Sequence, residues 1–184
     1  NDIKRYKQDA FDRTEDLQPL STSTNDVIAK NAYDWTSATE SPLAQAAVKG
    51  AEKISLCTLL GHSNKAVKLP KDASLNYRFY SNMNGDARFT IAAIPGYSSN
   101  NKSKRVSVSI DNAEPVICQL NETYNSKQWK FDLWRGQVLK SFYVTLPSGN
   151  HTIDIRALDD NVIVDQWILD FDVDREYYVF PVSK

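Results

Sequence analysis

The chain has 184 residues, of which 41% are hydrophobic, two cysteines and a formal net charge of −1 at pH 7. This length suits one domain that buries a core without disulfide support, and the near-zero charge excludes the broad basic field that binding to nucleic acid or an anionic membrane requires. No apolar run approaches the length of a membrane span.

The first 25 residues differ in composition from the rest of the chain. They begin with the charge-rich run IKRYKQDAFDRTEDL and end in the polar spacer LSTSTND. Ile3, Tyr6, Ala10, Phe11 and Leu17 have near-helical spacing, so this segment is either a short helix that docks onto another surface or a frayed extension. We therefore predict a linker or docking extension over residues 1–25 and a single domain over residues 26–184.

Short strands with period-two alternation follow along most of the remaining chain. Leu75 to Tyr80 and Arg88 to Ala93 flank the turn Asn82–Asp86, which predicts a hairpin. Residues 43–54 have helical spacing after Ser41-Pro42 and predict a short helix or an irregular excursion. Further strands are predicted over residues 66–69, 105–110, 116–118, 138–146 and 149–158. Strands at this spacing indicate an all-β antiparallel sandwich of the jelly-roll type.

Residues 149–173 carry the clearest pattern, two alternating runs joined by an acidic turn. In the first run Ile153, Ile155 and Ala157 share one side. In the second run the alternation places Ile163, Trp167, Leu169, Phe171 and Val173 on one face, together with Asp165. Because a buried carboxylate needs donors, we predict that Asp165 holds a neighbouring loop, with a direct ligand role as the alternative.

Several kinds of catalytic or metal site find no support in the sequence. There is no G-x-S-x-G pattern, and the only imidazoles are His62 and His151, so a serine triad or a zinc site is not expected. His151 is predicted to be packed and hydrogen-bonded, whereas His62 lies in a loop and is a ligand-binding candidate. Cys57 and Cys118 lie in or beside apolar segments, which favours two buried thiols over a disulfide.

Acidic and aromatic residues provide the remaining site candidates. The adjacent Asp159 and Asp160 could serve as paired carboxylates in glycoside hydrolysis, but neighbouring acids on a turn more often accept backbone hydrogen bonds. Aromatic rings at loop tips suit stacking on the apolar faces of sugars. The ligand-binding candidates are therefore Tyr33, Trp35, His62, Trp129, Trp134, Asp159 and Asp160, with no catalytic residue assigned.

Six phrases, taken in order, resemble the C-terminal domain of glycoside hydrolase family 115, the family of bacterial xylan α-glucuronidases. They are LGHSNKAVKLP, FTIAAIP, RVSVSIDNAEP, GNHTIDIRALDD, VIVDQWILDFD and REYYVFPV. Domains of this type are similar to galactose-binding-like sandwiches and carbohydrate-binding modules. The resemblance implies a non-catalytic appendage, or a free-standing relative, of a polysaccharide-degrading enzyme, which would bind plant cell-wall glycan in the periplasm or outside a bacterial cell.

The same resemblance bears on metal binding. Related modules hold a structural calcium with acids on their first strand, and Ala29 and Asn31 stand where those acids are expected. Hard cations prefer several charged oxygens, so we expect no cofactor, with Asp170 and Asp172 as the remaining candidates for a metal.

Three functions stay open at this point. The first is weak binding of a saccharide, which the aromatic rings and the resemblance favour. The second is a structural domain that packs against a catalytic domain or a dimer partner without binding sugar. The third is an enzyme that depends on Asp159 or Asp160.

Overall fold

The computed structural model describes residues 26–96 and 102–181. The predicted extension over residues 1–25 lies outside these ranges. Within them, eleven strands form two antiparallel sheets, which confirms the predicted sandwich. No helix of the described residues is both long enough and apolar enough to cross a membrane.

Sheet A contains six strands in the order β3-β4-β11-β6-β9, and β1 also pairs with β11. These strands are β1 (Val27–Asn31), β3 (Ser55–Thr58), β4 (Lys65–Leu69), β6 (Gly85–Ala93), β9 (Val138–Leu146) and β11 (Val162–Asp170). Sheet B contains five strands in the order β2-β5-β10-β7-β8. They are β2 (Ser37–Thr39), β5 (Ser74–Ser81), β7 (Arg105–Ile110), β8 (Val116–Gln119) and β10 (Gly149–Ala157).

The core fills the space between the two sheets. Val108, Ile155 and Leu169 are at most 1% exposed, as period-two burial requires. Trp167 is fully buried at the centre, where its ring contacts those of Tyr77, Phe79 and Phe89. The alternation of the β10 run therefore predicted the inner face of that strand correctly.

The predicted hairpin over residues 75–93 is wrong. β5 belongs to sheet B and β6 to sheet A, so the turn at Asn82–Asn84 carries the chain from one sheet to the other. The acidic turn after β10 does the same, because β11 lies in sheet A. Alternation identifies which strands have a buried face, but both members of a hairpin and two strands of opposite sheets show the same alternation.

The predicted single face of β11 is also wrong. A register irregularity lies between Val164 and Gln166, so Val162 and Val164 point into the core before the irregularity and Trp167 and Leu169 after it. Ile163 is therefore on the opposite side from Trp167. β11 ends at Asp170, so Phe171 and Val173 follow the strand rather than extend it.

Two short helices lie in the connections of the described residues. α1 (Pro42–Gln45) starts where Ser41-Pro42 predicted a helix, with the Ser41 hydroxyl accepting a hydrogen bond from the Ala44 amide. α2 (Lys127–Arg135) was not predicted. Ser126 caps its first turn and Gly136, at φ 77°, ends it in the left-handed conformation.

Candidate functional site

The outer face of sheet B carries a groove of about 500 Å³ across β5 and β10. Its lining residues are Arg78, Phe79, Tyr80, Asn150, His151 and Thr152. Tyr80 lies opposite Asn150 and Arg78 lies opposite Thr152 in the antiparallel register. Because alternate side chains of a strand share a face, Arg78, Tyr80, Asn150 and Thr152 all point outward from the sheet.

His151 fixes the start of β10 beneath this groove. Its side chain is buried, Nδ1 lies 2.7 Å from Asp111 Oδ2, and Nε2 lies 2.8 Å from the Pro147 carbonyl oxygen. Asp111 also accepts a hydrogen bond of 2.9 Å from the Thr152 amide. The prediction of a packed, hydrogen-bonded His151 is confirmed, and its role is to hold the groove wall in place.

The groove combines an exposed aromatic ring with three kinds of polar group. Tyr80 is 60% exposed, so a large part of its ring is available to a ligand. The Arg78 guanidinium donates hydrogen bonds, the Asn150 amide donates and accepts them, and the Thr152 hydroxyl does both. None of the six lining residues is an acid, so the groove is suited to binding and offers no carboxylate pair for hydrolysis.

Tyr33 and Trp35, which were predicted as loop-tip rings, are half-buried and pack against the main core. The Tyr33 hydroxyl accepts a hydrogen bond from Asn31 Nδ2, and the Lys65 ammonium lies 4.9 Å from the centre of the Tyr33 ring. One face of Tyr33 is therefore already engaged by a cation.

His62 lies in a loop that is held by Asp165. Asp165 is fully buried and accepts hydrogen bonds from the His62 amide at 2.7 Å, the Ser63 hydroxyl at 2.5 Å and Gln137 Nε2 at 2.7 Å. The predicted loop-holding role of Asp165 is thereby confirmed. His62 Nε2 lies 2.8 Å from the carbonyl oxygen of Arg135, so its ring also contacts the end of α2.

Trp129 and Trp134 lie on α2 and not at the tip of a loop. Trp129 is half-buried, donates from Nε1 to the Gly96 carbonyl at 3.3 Å, and packs edge-on against Tyr124. Beside Trp129 is a small cleft of about 30 Å³ that Asp132 also lines. Asp132 is buried, and this burial raises its pKa. Trp134, in contrast, is 94% exposed.

Asp159 and Asp160 make structural hydrogen bonds. Asp159 accepts three from Arg105: from its amide and Nε at 2.9 Å and from Nη2 at 3.0 Å. The hydrogen bonds from Arg105 lower the pKa of Asp159. Asp160 accepts from the Lys71 amide at 3.1 Å. Both acids follow β10, at the opposite end of the strand from the groove.

Asp170 and Asp172, the metal candidates, surround a guanidinium group. Arg175 contacts Asp26 at 2.6 Å, Asp172 at 3.4 Å and Asp170 at 3.7 Å, and Tyr177 donates a hydrogen bond of 2.6 Å to Asp170. A second cation placed among the same carboxylates would be repelled by the guanidinium. The residues therefore do not fit a calcium ion, and no cluster of three or more acids, histidines or cysteines suited to a metal occurs within residues 26–96 and 102–181.

The structure brings some of the predicted site residues together. Hydrogen bonds through Asn31, Gln166 and Gln137 link Tyr33 to Asp165, which holds the His62 loop, and His62 contacts the end of α2. Asp159 and Asp160 lie apart from them, in the turn after β10.

The sequence did not indicate Arg78, Tyr80, Asn150 and Thr152 as site residues. Their outward positions could be read from the alternation of each strand, but the pairing of β5 with β10 joins segments about 70 residues apart and has no local signal.

The two packed antiparallel sheets define a β-sandwich of the kind found in carbohydrate-binding modules. A family 35 carbohydrate-binding module from Clostridium thermocellum has a TM-score of 0.53 and 15% identity, over 77% of this chain and 97% of that one. An exo-β-1,3-galactanase from Phanerochaete chrysosporium has a TM-score of 0.54 and 12% identity, over 78% of this chain and 29% of that one. At such identities the similarity concerns the fold.

The chain belongs to the glycosyl hydrolase family 115 C-terminal domain family, whose model matches residues 22–183. A GH115 4-O-methyl-α-glucuronidase with specificity for decorated arabinogalactans has a TM-score of 0.66 and 24% identity over 83% of this chain. This chain spans 18% of the length of that enzyme. A search among curated protein sequences finds no match. The chain is accordingly a non-catalytic accessory domain of the glycoside hydrolase type, as the resemblance implied.

Proposed function

We propose that this domain binds a cell-wall saccharide weakly, in the groove of sheet B. The observation that carries the proposal is the exposed Tyr80 ring beside the outward Arg78, Asn150 and Thr152 side chains. Pyranose rings present apolar C–H patches to an aromatic ring and hydroxyls to neighbouring polar groups, so this set matches their chemistry. Family membership and the carbohydrate-binding-module fold support the same function.

The shape of the groove favours an extended glycan over a small enclosed ligand. The groove lies on a sheet face, its wall is held by the buried His151, and it requires no loop to close over it. Because a shallow surface buries only part of a ligand, the affinity is expected to be low. Xylan or glucuronoxylan is the substrate class that the sequence resemblance implied, and decorated arabinogalactan is the substrate of the GH115 relative. Such a polymer would be met outside the cell or in the periplasm.

Isothermal titration calorimetry and affinity electrophoresis test this proposal with xylan, glucuronoxylan oligomers, arabinogalactan and an unrelated glycan. Replacing Tyr80 with Ala should lower the affinity for the bound glycan about tenfold, the loss expected for one aromatic stacking contact. Tyr143→Ala is the matched control, because Tyr143 is similarly exposed, at 68%, but lies on sheet A. Absence of binding to every glycan, or equal losses in both variants, would contradict the proposal.

The residues predicted from sequence remain candidates and are tested in the same titrations. Trp129→Ala and Trp134→Ala separate a site on α2 from the groove. His62→Ala, Asp159→Asn and Asp160→Asn test the loop and turn positions, and Tyr33→Phe and Trp35→Phe test the rings that pack on the core. Loss of binding with Trp129→Ala and not with Tyr80→Ala would move the site to the cleft beside α2.

A further inference from the structure

His151 is buried beside the groove, and each of its two ring nitrogens faces an oxygen atom. Nδ1 lies 2.7 Å from Asp111 Oδ2, and Nε2 lies 2.8 Å from the carbonyl oxygen of Pro147. A carbonyl oxygen only accepts hydrogen bonds, and so does an ionised carboxylate. Both contacts have the length of a hydrogen bond, so each of them needs one hydrogen atom between nitrogen and oxygen.

A neutral imidazole carries one N–H and can make only one of these two hydrogen bonds. The second hydrogen atom comes either from a doubly protonated ring or from the Asp111 carboxyl group. Asp111 is partly exposed, and its other oxygen accepts a hydrogen bond of 2.9 Å from the Thr152 amide. A carboxylate that accepts at both oxygens fits this position, so a doubly protonated ring satisfies every partner.

The surroundings of the His151 ring suit a positive charge. The centre of the Phe79 ring lies 5.4 Å from that of His151, and within about 6 Å the face of an aromatic ring attracts a cation. Phe79 is the contact from β5, whose adjacent side chains point outward from the sheet. The charged group in contact with the ring is Asp111, after β7, and the turn before β10 contributes the Pro147 carbonyl.

The other histidine of the chain has the opposite arrangement. His62 Nε2 lies 2.8 Å from the Arg135 carbonyl oxygen, whereas Nδ1 is buried and has no hydrogen-bond partner among the described residues. A single ring proton, on Nε2, satisfies this geometry, because a second proton would be buried without an acceptor. The chain has two histidines, so one measurement compares both arrangements in the same molecule.

The His151 ring joins two turns at the polar side of the groove. Pro147 lies in the turn between β9 and β10, and Asp111 follows the last residue of β7. Asn150 and Thr152, on either side of His151 in β10, line the groove, and Asp111 also holds the Thr152 amide. A change at the ring therefore reaches two polar residues of the groove through one or two hydrogen bonds.

We propose that His151 is a positioning residue of the groove and that it acts as an imidazolium paired with the ionised Asp111. With both ring protons in place, the ring holds the turn before β10 against the turn after β7. When the second proton leaves in alkaline solution, two lone pairs oppose each other in one contact, which must lengthen and release a turn. The charge state of the ring does not depend on saccharide binding, whereas its effect on affinity rests on the proposed function.

Nuclear magnetic resonance of the ring nitrogens tests the charge state directly. At about pH 7, where a free imidazole is mostly neutral, both nitrogens of His151 should have the chemical shifts of protonated nitrogens. His62 should show one protonated and one unprotonated nitrogen in the same spectrum. The amide signals of Asn150 and Thr152 should move over the pH interval in which His151 loses its second proton. A singly protonated His151 at about pH 7 overturns the proposal.

Asp111→Asn is the matched variant, because an amide can donate a hydrogen bond to a neutral ring. Its oxygen can still accept from the Thr152 amide while its N–H donates to Nδ1 of His151, so both ring contacts survive with one ring proton, on Nε2. Asp111 has a φ of 53°, a conformation that asparagine also tolerates, so the variant should fold. We expect His151 to be neutral in this variant at the same pH.

Calorimetric titration with glucuronoxylan oligomers, or with arabinogalactan if only that polymer binds, measures the effect on the groove. In the unmodified chain the affinity should fall about tenfold over the interval in which His151 loses its second proton, the loss expected when a buried hydrogen bond is left unmade. In Asp111→Asn the affinity should stay constant over that interval, which also excludes titration of Tyr80 as the cause.

An equal pH dependence in both chains, or a constant affinity in the unmodified chain, overturns the positioning role of His151. If no glycan binds, the proposed function fails, and the spectra still decide the charge state of the ring and its effect on the Asn150 and Thr152 amides.

Discussion

Asp165 shows how a single position can reverse the alternation on which strand prediction depends. At this position the pairing of β11 with β6 shifts register, so the face that carries Val164 before it carries Trp167 after it. The irregularity also turns a carboxylate toward the amides of His62 and Ser63. β-Bulges have both effects, because one residue is left out of the ladder. The bulge thus explains why the predicted buried face of β11 was wrong and why the predicted loop-holding role of Asp165 was correct.

Gly61 provides the sharpest test at the residue scale. It has a φ of 79°, and a β-carbon built on it would lie 2.4 Å from the Asp165 carboxylate. Replacing it with Ala should lower the free energy of unfolding by about 3 kcal/mol, since the substitution adds steric displacement of a buried hydrogen-bond network to the cost of the left-handed backbone. Urea denaturation of the variant and the parent chain measures this loss.

Gly50→Ala is the control, because Gly50 has the same kind of backbone, φ 81°, but no atom within 4 Å of the added carbon. It should cost only about 1 kcal/mol, the backbone contribution. Equal losses at Gly61 and Gly50 would show that the close approach to Asp165 is unimportant for stability.

The C-terminal segment from Phe171 to Pro181 was predicted to continue β11 as far as Val173. It is not strand, yet Phe180 is buried and packs with Ala92 and Ile168 on the outer side of sheet A. Arg175 attaches this segment to Asp26 and lies 3.7 Å from Asp170, the last residue of β11. One guanidinium thereby joins the start of the described domain, its last strand and its C-terminal segment.

Replacing Arg175 with Ala should therefore destabilise the domain. Asp170 is 1% exposed, and burial already raises its pKa, so loss of the nearby cation leaves a poorly compensated carboxyl group. We expect a loss of about 2 kcal/mol in the free energy of unfolding, the usual cost of removing charged hydrogen-bond partners. Thermal and urea denaturation of the variant measure it, and Arg175→Lys, which keeps the charge, should lose less.

The effect of calcium on the melting temperature tests whether Arg175 takes the place of a metal ion among these acids. If the guanidinium already compensates Asp26, Asp170 and Asp172, neither calcium nor a chelator should change the melting temperature of the unmodified domain. A melting temperature that falls on addition of chelator would contradict this view of the Asp26, Asp170 and Asp172 group.

On the scale of the whole molecule, the reactivity of the two cysteines measures how readily the sandwich opens. Both are free thiols, which confirms the preference against a disulfide. Cys118 is buried on the inner side of β8, as predicted, whereas Cys57 on the edge strand β3 is only half-buried. Burial raises the pKa of Cys118, so its reactive thiolate is scarce as well as inaccessible.

Alkylation followed by mass spectrometry should therefore show two phases without reductant. Cys57 should react rapidly, and Cys118 should react only at the rate of a large opening of the sandwich. The Cys57→Ser variant should retain the slow phase alone and Cys118→Ser the fast phase alone. A native, non-reduced protein that gains no mass even after denaturation would indicate a disulfide and contradict the structure.

The amino-acid sequence by itself determined the class of fold, the inner face of β10 and the family. These features follow from alternation and from ordered local phrases, which are properties of neighbouring residues. Only the tertiary structure decided which strands share a sheet, that Trp129 and Trp134 lie on a helix, and that Arg175 lies among the acids. It also assembled the groove at Tyr80 and Asn150, because pairing between distant strands depends on the packing of the whole sandwich and leaves no local pattern.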